Sequence, residues 1–223
     1  DVELNGTSSA NNRPSNGVFA GIRLSGGSVN ATNISLRALA TDTTADVLGY
    51  LGGNGRLIAT GTLDAQAESK GAGVGFYTFG GRVQSGTGMN IRGSSQSFYG
   101  IGFASDTRII NQNTTGTTTG NVVMTGSANN TSFGGVALFQ AAIENTSADG
   151  GIQITSTQGD IKANFGPTST ITNSGVGAVV LSAGPSSASD NGAIDGTNLS
   201  MTQNGNGGIV LMTSGTGNVN VPS

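Results

Sequence analysis

Apolar residues recur along this chain in short runs that alternate with polar residues. The clearest runs are Ile34-Ser-Leu36, Leu63-Asp-Ala65, Val74-Gly-Phe76, Val122-Val-Met124, Ile152-Gln-Ile154, Val179-Val-Leu181 and Ile209-Val-Leu211. Each run is bounded on at least one side by Gly, Asn, Ser or Thr, which is typical of short β-strands between turns. Helices are not expected, because Gly costs about 1 kcal/mol relative to Ala inside a helix and the 39 glycines leave hardly any long uninterrupted stretch. The pattern predicts a fold that is nearly all β.

The apolar runs form an internal repeat with a period of about 29 residues, within the range that is typical of solenoid proteins. The strands align on their first apolar residue at Ile34, Leu63, Met89, Val122, Ile152, Val179 and Ile209. Each repeat, of about 26 to 33 residues, holds two further short apolar stretches separated by small-residue turns. Three strands per repeat predict a parallel β-helix of about seven rungs, roughly 35 Å long at about 4.8 Å per rung. We expect residues 1–16 to form an N-terminal loop or cap and residues 17–223 a single solenoid domain.

In a parallel β-helix, equivalent residues of successive rungs stack in columns along the axis. We expect one inward apolar column to consist of Val122, Ile152, Val179 and Ile209. Asn111, Asn145 and Asn173 occupy equivalent turn positions, where Asn tolerates the left-handed backbone conformation and its amide can bond to the copy in the next rung. Phe76 and Phe103 lie one repeat apart and each follows a Gly-X-Gly pattern, so we expect them to stack inside the core.

Composition removes several classes of function. The chain has no Cys, His or Trp, so it cannot build a Cys/His zinc site, a disulfide, a Ser-His-Asp triad or a His general base. Only 9% of its residues are charged, and a net charge of −3 with a pI near 4.7 argues against nucleic-acid binding. No apolar run approaches the about 18 residues that cross a bilayer, so we expect no membrane insertion. No cofactor is predicted. The chain begins Asp1-Val2-Glu3, without a Met or a basic segment, so we expect a processed product or an excised fragment.

Three segments carry a family resemblance. They read Gly150-Gly-Ile-Gln-Ile-Thr-Ser-Thr-Gln-Gly-Asp-Ile161, Asn173-Ser-Gly-Val-Gly-Ala-Val-Val-Leu-Ser-Ala183 and Gly215-Thr-Gly-Asn-Val-Asn-Val221. In style of repeat they resemble filamentous-haemagglutinin-type exoproteins, which are bacterial surface adhesins exported by a two-partner system, and autotransporter passengers. The resemblance covers about residues 17–221. It implies a right-handed parallel β-helix, a secreted or cell-surface location, an outer-membrane export partner, and glycans or proteins of host or neighbouring cells as binding partners. The family's Asn-Pro-Asn secretion elements do not occur, which favours the shaft of such a protein.

Three arginines follow one another at equal intervals of one repeat. Arg56, Arg82 and Arg108 each begin the second strand of their rung. Stacked like charges repel one another unless they are solvated or paired. Two interpretations stay open: a solvated outer stripe, or a line of contact for an anion or an acidic glycan.

Two further sets of side chains are candidates for contact with sugars. Aromatic residues concentrate in the middle of the chain, where Tyr77 and Tyr99 form either part of the core or an exposed sugar-stacking platform. The sequons at Asn113, Asn130 and Asn145 are candidate glycosylation sites. Ser and Thr are frequent enough in this chain that most sequons are explained by composition alone.

The acidic residues are scattered along the chain. Asp64 is expected to point outward, with no acid at the same place in the adjoining rungs. Asp190 and Asp195 flank a Gly-containing segment that could offer oxygen ligands to Ca²⁺, although acids in such segments are more often ordinary turn residues. A β-helix enzyme that cleaves polysaccharides needs acids grouped on one face. Neither a catalytic nor a metal site is therefore predicted.

These observations favour a non-enzymatic protein. We expect a shaft or binding segment of a bacterial cell-surface or secreted adhesin or haemagglutinin. The alternative is a structural subunit of an extracellular filament, because an uncapped solenoid presents unpaired strands for end-to-end self-association. A carbohydrate-active β-helix enzyme is the third hypothesis, and it would require acids clustered with Arg or Lys in a groove.

Overall fold

The computed structural model describes residues 1–8, 19–43, 47–113, 120–130, 133–185, 192–214 and 217–222. These residues form strands and turns without any helix, and no membrane-spanning helix is found among them. The strands stack in parallel around one axis. The predicted fold class, an all-β right-handed parallel β-helix, is confirmed.

The strands lie on three faces, which we call A, B and C. Face A is an eight-stranded sheet formed by β1 (Val2–Ser8), β4 (Ile34–Ala40), β7 (Thr62–Ser69), β10 (Gly88–Ser95), β12 (Val122–Ala128), β14 (Ile152–Gln158), β17 (Val179–Ala183) and β20 (Ile209–Thr213). Face B contains β2 (Phe19–Ser25), β5 (Val47–Gly53), β8 (Phe76–Phe79), the first halves of β11 (Ile101–Asn111) and β13 (Val136–Asn145), β15 (Ile161–Lys162), β18 (Ile194–Asp195) and β21 (Val219–Asn220). Face C contains β3 (Ser28–Ala31), β6 (Arg56–Ala59), β9 (Arg82–Ser85), the second halves of β11 and β13, β16 (Ser169–Asn173) and β19 (Leu199–Gln203). Because β11 and β13 continue across the corner, faces B and C belong to one thirteen-stranded sheet.

The strand register on face A reproduces the sequence repeat. The residues paired in series are Ile34, Leu63, Met89, Val122, Ile152, Val179 and Ile209. The alignment made from the sequence is therefore confirmed at each of these positions. One more strand precedes them, because Val2 pairs with Ile34. Seven intervals of about 4.8 Å between the eight strands give a stack about 34 Å long.

The beginning of the chain corrects one expectation. Val2–Ser8 form β1, which pairs along its whole length with β4. Its residues are more exposed than those of β4 because β1 is the outermost strand of face A. The prediction of a loop or cap is wrong for these residues, and residues 9–16 lie outside the described part of the chain.

The core forms because alternate residues of each strand point inward. One column of face A is fully buried between its two partly buried end residues, Leu4 and Leu211. Its buried members are Leu36, Ala65, Ile91, Met124, Ile154 and Leu181. In the predicted neighbouring column, Val122, Ile152 and Val179 are buried as expected, whereas Ile209 is 41% exposed. Ile209 keeps its predicted place in this column, because it pairs with Val179. The expectation of burial is wrong for it, because β20 is the last described strand of face A and no described strand covers its far side.

Phe76 and Phe103 contact each other in the core, although they do not share a column. Both are fully buried, and their ring centroids lie 6.2 Å apart in an edge-to-face arrangement. The register pairs Phe76 with Ile101 and Phe103 with Thr78. The two Gly-X-Gly patterns are therefore offset by two residues from the strand register, because Phe76 lies 25 residues before its partner Ile101 and 27 residues before Phe103.

A ladder of amide side chains runs along the inside of the corner between faces C and A. Asn111 Nδ2 donates to Asn145 Oδ1, and Asn145 Nδ2 donates to Asn173 Oδ1, each over 2.8 Å. Ser85 and Gln203 extend the ladder at its two ends. The predicted amide bonds between rungs are confirmed. The predicted left-handed backbone is wrong for the three asparagines, because among the described non-glycine residues positive φ values occur at Asn54, Ser105, Asp106 and Gln140.

Candidate functional site

Three arginines line up on the outer surface of face C, where each begins a strand or half-strand. Arg56 pairs in register with Arg82, and Arg82 pairs with Arg108, so the alignment predicted from their spacing is confirmed. Their side chains point away from the axis because the next residue of each strand, such as Leu57 after Arg56, is buried. We call these three residues the arginine stripe.

The charges of the arginine stripe are only partly compensated. Arg108 Nη2 lies 2.9 Å from Glu144 Oε1 in the neighbouring rung. Within the described ranges, neither Arg56 nor Arg82 has a carboxylate oxygen within 4.0 Å. The Nε of Arg82 is buried and lacks a hydrogen-bond partner. Two guanidinium groups on directly neighbouring strands thus carry positive charge that no described acidic side chain neutralises.

On face A, in contrast, two arginines are paired with an acidic residue. Asp64 points outward, as predicted, and its two carboxylate oxygens contact Arg37 at 2.6 Å and Arg92 at 3.2 Å. Asn90 Nδ2 donates to the same carboxylate. Asp64 therefore neutralises part of the charge of two arginines that lie two rungs apart. Among the described residues, no acid pairs with Arg56 or Arg82 as Asp64 does with Arg37 and Arg92, and this difference makes the arginine stripe a candidate binding surface.

A second candidate site is a cavity of about 790 Å³ on the outer surface of face B. We call it the aromatic pocket, and its aromatic lining consists of Tyr77, Phe98, Tyr99, Phe133, Phe139 and Phe165. These residues come from successive rungs, on or next to the strands of face B. Its other lining residues are Ala72, Gly73, Val74, Ser97 and Gly102. Among the described residues, no charged side chain lines it.

The rings of the aromatic pocket form a continuous network. Phe98 packs on Phe133, with 4.2 Å between ring centroids. Tyr99 contacts both Phe133 and Phe139 edge to face, at 5.4 and 5.5 Å. Phe139 in turn contacts Phe165 at 5.9 Å, and Phe165 is 59% exposed. The network therefore begins in a buried cluster and ends at a ring that faces solvent.

The two tyrosines do not form the exposed platform considered from the sequence. Tyr99 is 8% exposed, because it packs among the phenylalanines of the neighbouring rungs. Tyr77 is half-buried at the side of the pocket. Burial raises the pKa of both phenol groups above the usual value near 10. The prediction of an exposed sugar platform is wrong for Tyr99, whereas the prediction that the aromatic residues pack together is correct for it.

The three sequons differ in accessibility. Asn113 and Asn130 are half-buried, and Asn113 Nδ2 lies 3.4 Å from Ser147 Oγ. Asn145 is completely buried, and its Nδ2, the atom that would carry a glycan, donates to Asn173 inside the amide ladder. The candidate glycosylation site at Asn145 is therefore wrong for the folded chain. Asn113 and Asn130 stay predictions.

The acidic residues considered for calcium binding do not come together in the described structure. Asp190 lies outside the described residues. Asp195, at the end of β18, accepts hydrogen bonds from Thr197 and from Asn164 of the neighbouring rung, so its carboxylate links two rungs. In the described part of the chain, no group of three or more acidic side chains is placed to hold a metal ion.

Sequence reasoning found the aromatic residues and missed the pocket that they form. Phe98 and Phe133 precede face B in consecutive rungs, Phe139 lies in the face B part of β13, and Phe165 follows β15 in the next rung. Aromatic residues at the entry to the same face in consecutive rungs are a signal that could have indicated the cluster. Its depth depends on turn conformation, which the repeat does not specify.

Comparisons with known proteins give no further information about these sites. The chain matches no family model, no curated protein and no solved structure.

Proposed function

We propose that this chain is a non-enzymatic segment of a bacterial cell-surface or secreted adhesin, in which the solenoid is a rigid shaft and the arginine stripe contacts acidic glycans on host or neighbouring cells. The observation that carries the proposal is the stacking of Arg56 on Arg82 without a described counter-charge. It is supported by the low charge content of the chain, in which only 9% of residues are charged.

The stacking of the two positively charged arginine side chains is unfavourable unless an acidic group binds to them. Like charges directly opposite on neighbouring strands destabilise a sheet, so the shaft alone gains nothing from this alignment. A guanidinium group binds carboxylate and sulfate oxygens through two parallel hydrogen bonds, which strengthens contact with an anion. A polysaccharide that carries acidic groups at intervals along its length could contact all three arginines, which recur once per rung along the axis.

The overall charge of the chain makes this local contact measurable. Because the net charge is −3, an acidic polysaccharide is repelled by the protein as a whole, and binding requires a specific basic surface. The test is binding of the purified chain to heparin, used as a sulfated probe, and to the same polymer after removal of its sulfate groups. We expect saturable binding to the sulfated polymer that weakens as salt is raised.

Matched double variants separate the arginine stripe from general charge. Arg56→Gln with Arg82→Gln should abolish most of the binding. Arg37→Gln with Arg92→Gln removes the same charge from face A, where Asp64 already pairs both groups, and should leave binding nearly unchanged. Equal losses in both double variants, or no loss in either, would contradict a role for the stripe. Circular dichroism of each variant reports whether the fold is retained.

A structural subunit of an extracellular filament is the alternative function, and one observation favours it. The last strands, β20 and β21, present large apolar side chains that are 41 to 46% exposed, namely Ile209, Val210, Met212 and Val219. Light scattering that rises with protein concentration, and that an Ile209→Lys substitution prevents, would support this alternative over the adhesin. Polysaccharide cleavage that disappears in an Asp64→Asn variant would overturn both proposals in favour of an enzyme.

A further inference from the structure

We propose that the aromatic pocket is a binding site for a neutral ligand with an aromatic ring. This inference is independent of the arginine stripe, because the pocket lies on face B and the stripe on face C. Its volume of about 790 Å³ falls within the range of about 300 to 1,000 Å³ that is typical of sites for small organic molecules. The two sites can therefore be tested separately in the same protein.

The lining indicates that the ligand is uncharged. Six aromatic rings line this open site, and none of its described lining residues carries a charge. The hydroxyl-bearing residues are Tyr77, Tyr99 and Ser97. A charged group that entered such a site would lose its hydration without gaining a partner of opposite charge.

The geometry of the rings favours an aromatic ligand over an aliphatic chain or a sugar. The network of Tyr99, Phe139 and Phe165 continues edge to face toward solvent, with centroid distances of 5.5 and 5.9 Å. A further ring next to Phe165 would extend the same arrangement, which aromatic pairs prefer. A pyranose would bring several hydroxyl groups into a lining with few polar partners, and each unpaired hydroxyl would weaken binding.

Two probes that differ in one sulfonate group test the proposal. N-phenyl-1-naphthylamine is neutral, aromatic and fluorescent in apolar surroundings, and 8-anilinonaphthalene-1-sulfonate has the same ring system with a negative charge. We expect the neutral probe to bind the full chain with a stoichiometry of one and the sulfonate to bind much more weakly. Equal binding of the two probes would overturn the requirement for a neutral ligand.

Matched phenylalanine variants locate the site. Phe165 and Phe79 are both exposed, at 59% and 47%, and of the two, only Phe165 lines the pocket. Phe165→Leu keeps an apolar side chain and removes the ring, so binding of the neutral probe should weaken about 2- to 10-fold, the equivalent of one aromatic pair. Phe79→Leu should leave the affinity unchanged. Equal effects of the two substitutions would overturn the assignment of the site.

Competition identifies the class of ligand. Naphthalene should displace the neutral probe, whereas 1-decanol and methyl glucoside should do so poorly. More effective displacement by 1-decanol would overturn the proposal in favour of an acyl-chain site, and displacement by methyl glucoside would overturn it in favour of a sugar site. Because the chain has no Trp and both Tyr77 and Tyr99 line the pocket, a change in tyrosine emission when naphthalene binds provides a second readout. Unchanged emission at saturation would place the bound ring elsewhere.

Discussion

Replacing Asn145 by Ala should destabilise the solenoid more than the small size of the removed side chain suggests. The side chain is fully buried in the middle of the amide ladder. Its Oδ1 accepts from Asn111 Nδ2 and its Nδ2 donates to Asn173 Oδ1, both over 2.8 Å. In Asn145→Ala, one N–H of Asn111 and one acceptor position of Asn173 lose these partners in a site that water does not reach.

The magnitude follows from those two groups. A buried polar group left without its partner costs about 1 to 3 kcal/mol, so the free energy of unfolding should fall by about 2 to 5 kcal/mol. Asn111 Nδ2 keeps its bond to Gly120 O at 2.9 Å, and Asn173 Oδ1 keeps a weak contact with Gly175 N at 3.4 Å. These remaining partners keep the loss below the cost of isolating both amides completely.

The assay is urea unfolding followed by circular dichroism, with Asn129→Ala as the control. Asn129 Nδ2 also bonds to an amide in the neighbouring rung, Gln96 Oε1 at 2.7 Å, but it is exposed. Water can replace that bond, so the control should lose less than about 1 kcal/mol. Equal destabilisation by the two substitutions would refute the reasoning, because burial would then make no difference.

Three further predictions concern other parts of the molecule. Ile152→Ala should lower the free energy of unfolding by about 2 to 5 kcal/mol. Ile209→Ala, in the same column but 41% exposed, should lower it by no more than about half as much. A loss below about 0.5 kcal/mol at Ile152 would place that residue outside the core. Because burial raises the pKa of Tyr77 and Tyr99, their contribution to stability is complete below about pH 10 and is lost as the pH rises through the folded-state values; urea midpoints measured across alkaline pH, beside the ultraviolet absorbance of phenolate, should show this loss. Asp64→Asn should shift the thermal midpoint only slightly, since both of its ion pairs are partly exposed and such pairs contribute less than about 1 kcal/mol; a large shift would contradict that assignment.

The repeat could be predicted because each rung encodes it locally. Alternating residues such as Ile152 and Ile154 identify a strand with one buried face, and the Gly and Asn turns separate the strands. The alignment of Arg56 with Arg82 followed from the same periodicity. Glu144, the partner of Arg108, was not predicted, because it lies two residues beyond the register partner of that arginine.

The errors occur where the backbone turns or the stack ends. Phe103 was aligned with Phe76 by a Gly-X-Gly pattern, but the register of face B depends on the length of the turn before each strand, which that pattern does not report. Ile209 matched the core pattern, and the sequence does not indicate that the strand is outermost. Asn145 fits both a glycosylation sequon and a position in the amide ladder, and only its burial distinguishes these two interpretations. Tyr99 is buried by side chains from other rungs, which the spacing of aromatic residues does not reveal.

The rungs differ in length along the chain, although their strands stay in register. The strand residues are therefore constrained by pairing, whereas the number of residues between strands is not. The interval from Met89 to Val122 is longer than the interval from Leu63 to Met89, yet all three residues remain in register. The additional residues of the longer rung are therefore accommodated outside the aligned column. Lengthening a loop is thermodynamically mild, at about 0.6 kcal/mol for each doubling. In this architecture the loops at the corners can change in length and composition while the stacked strands keep their partners, so new surface contacts can evolve without repacking the core.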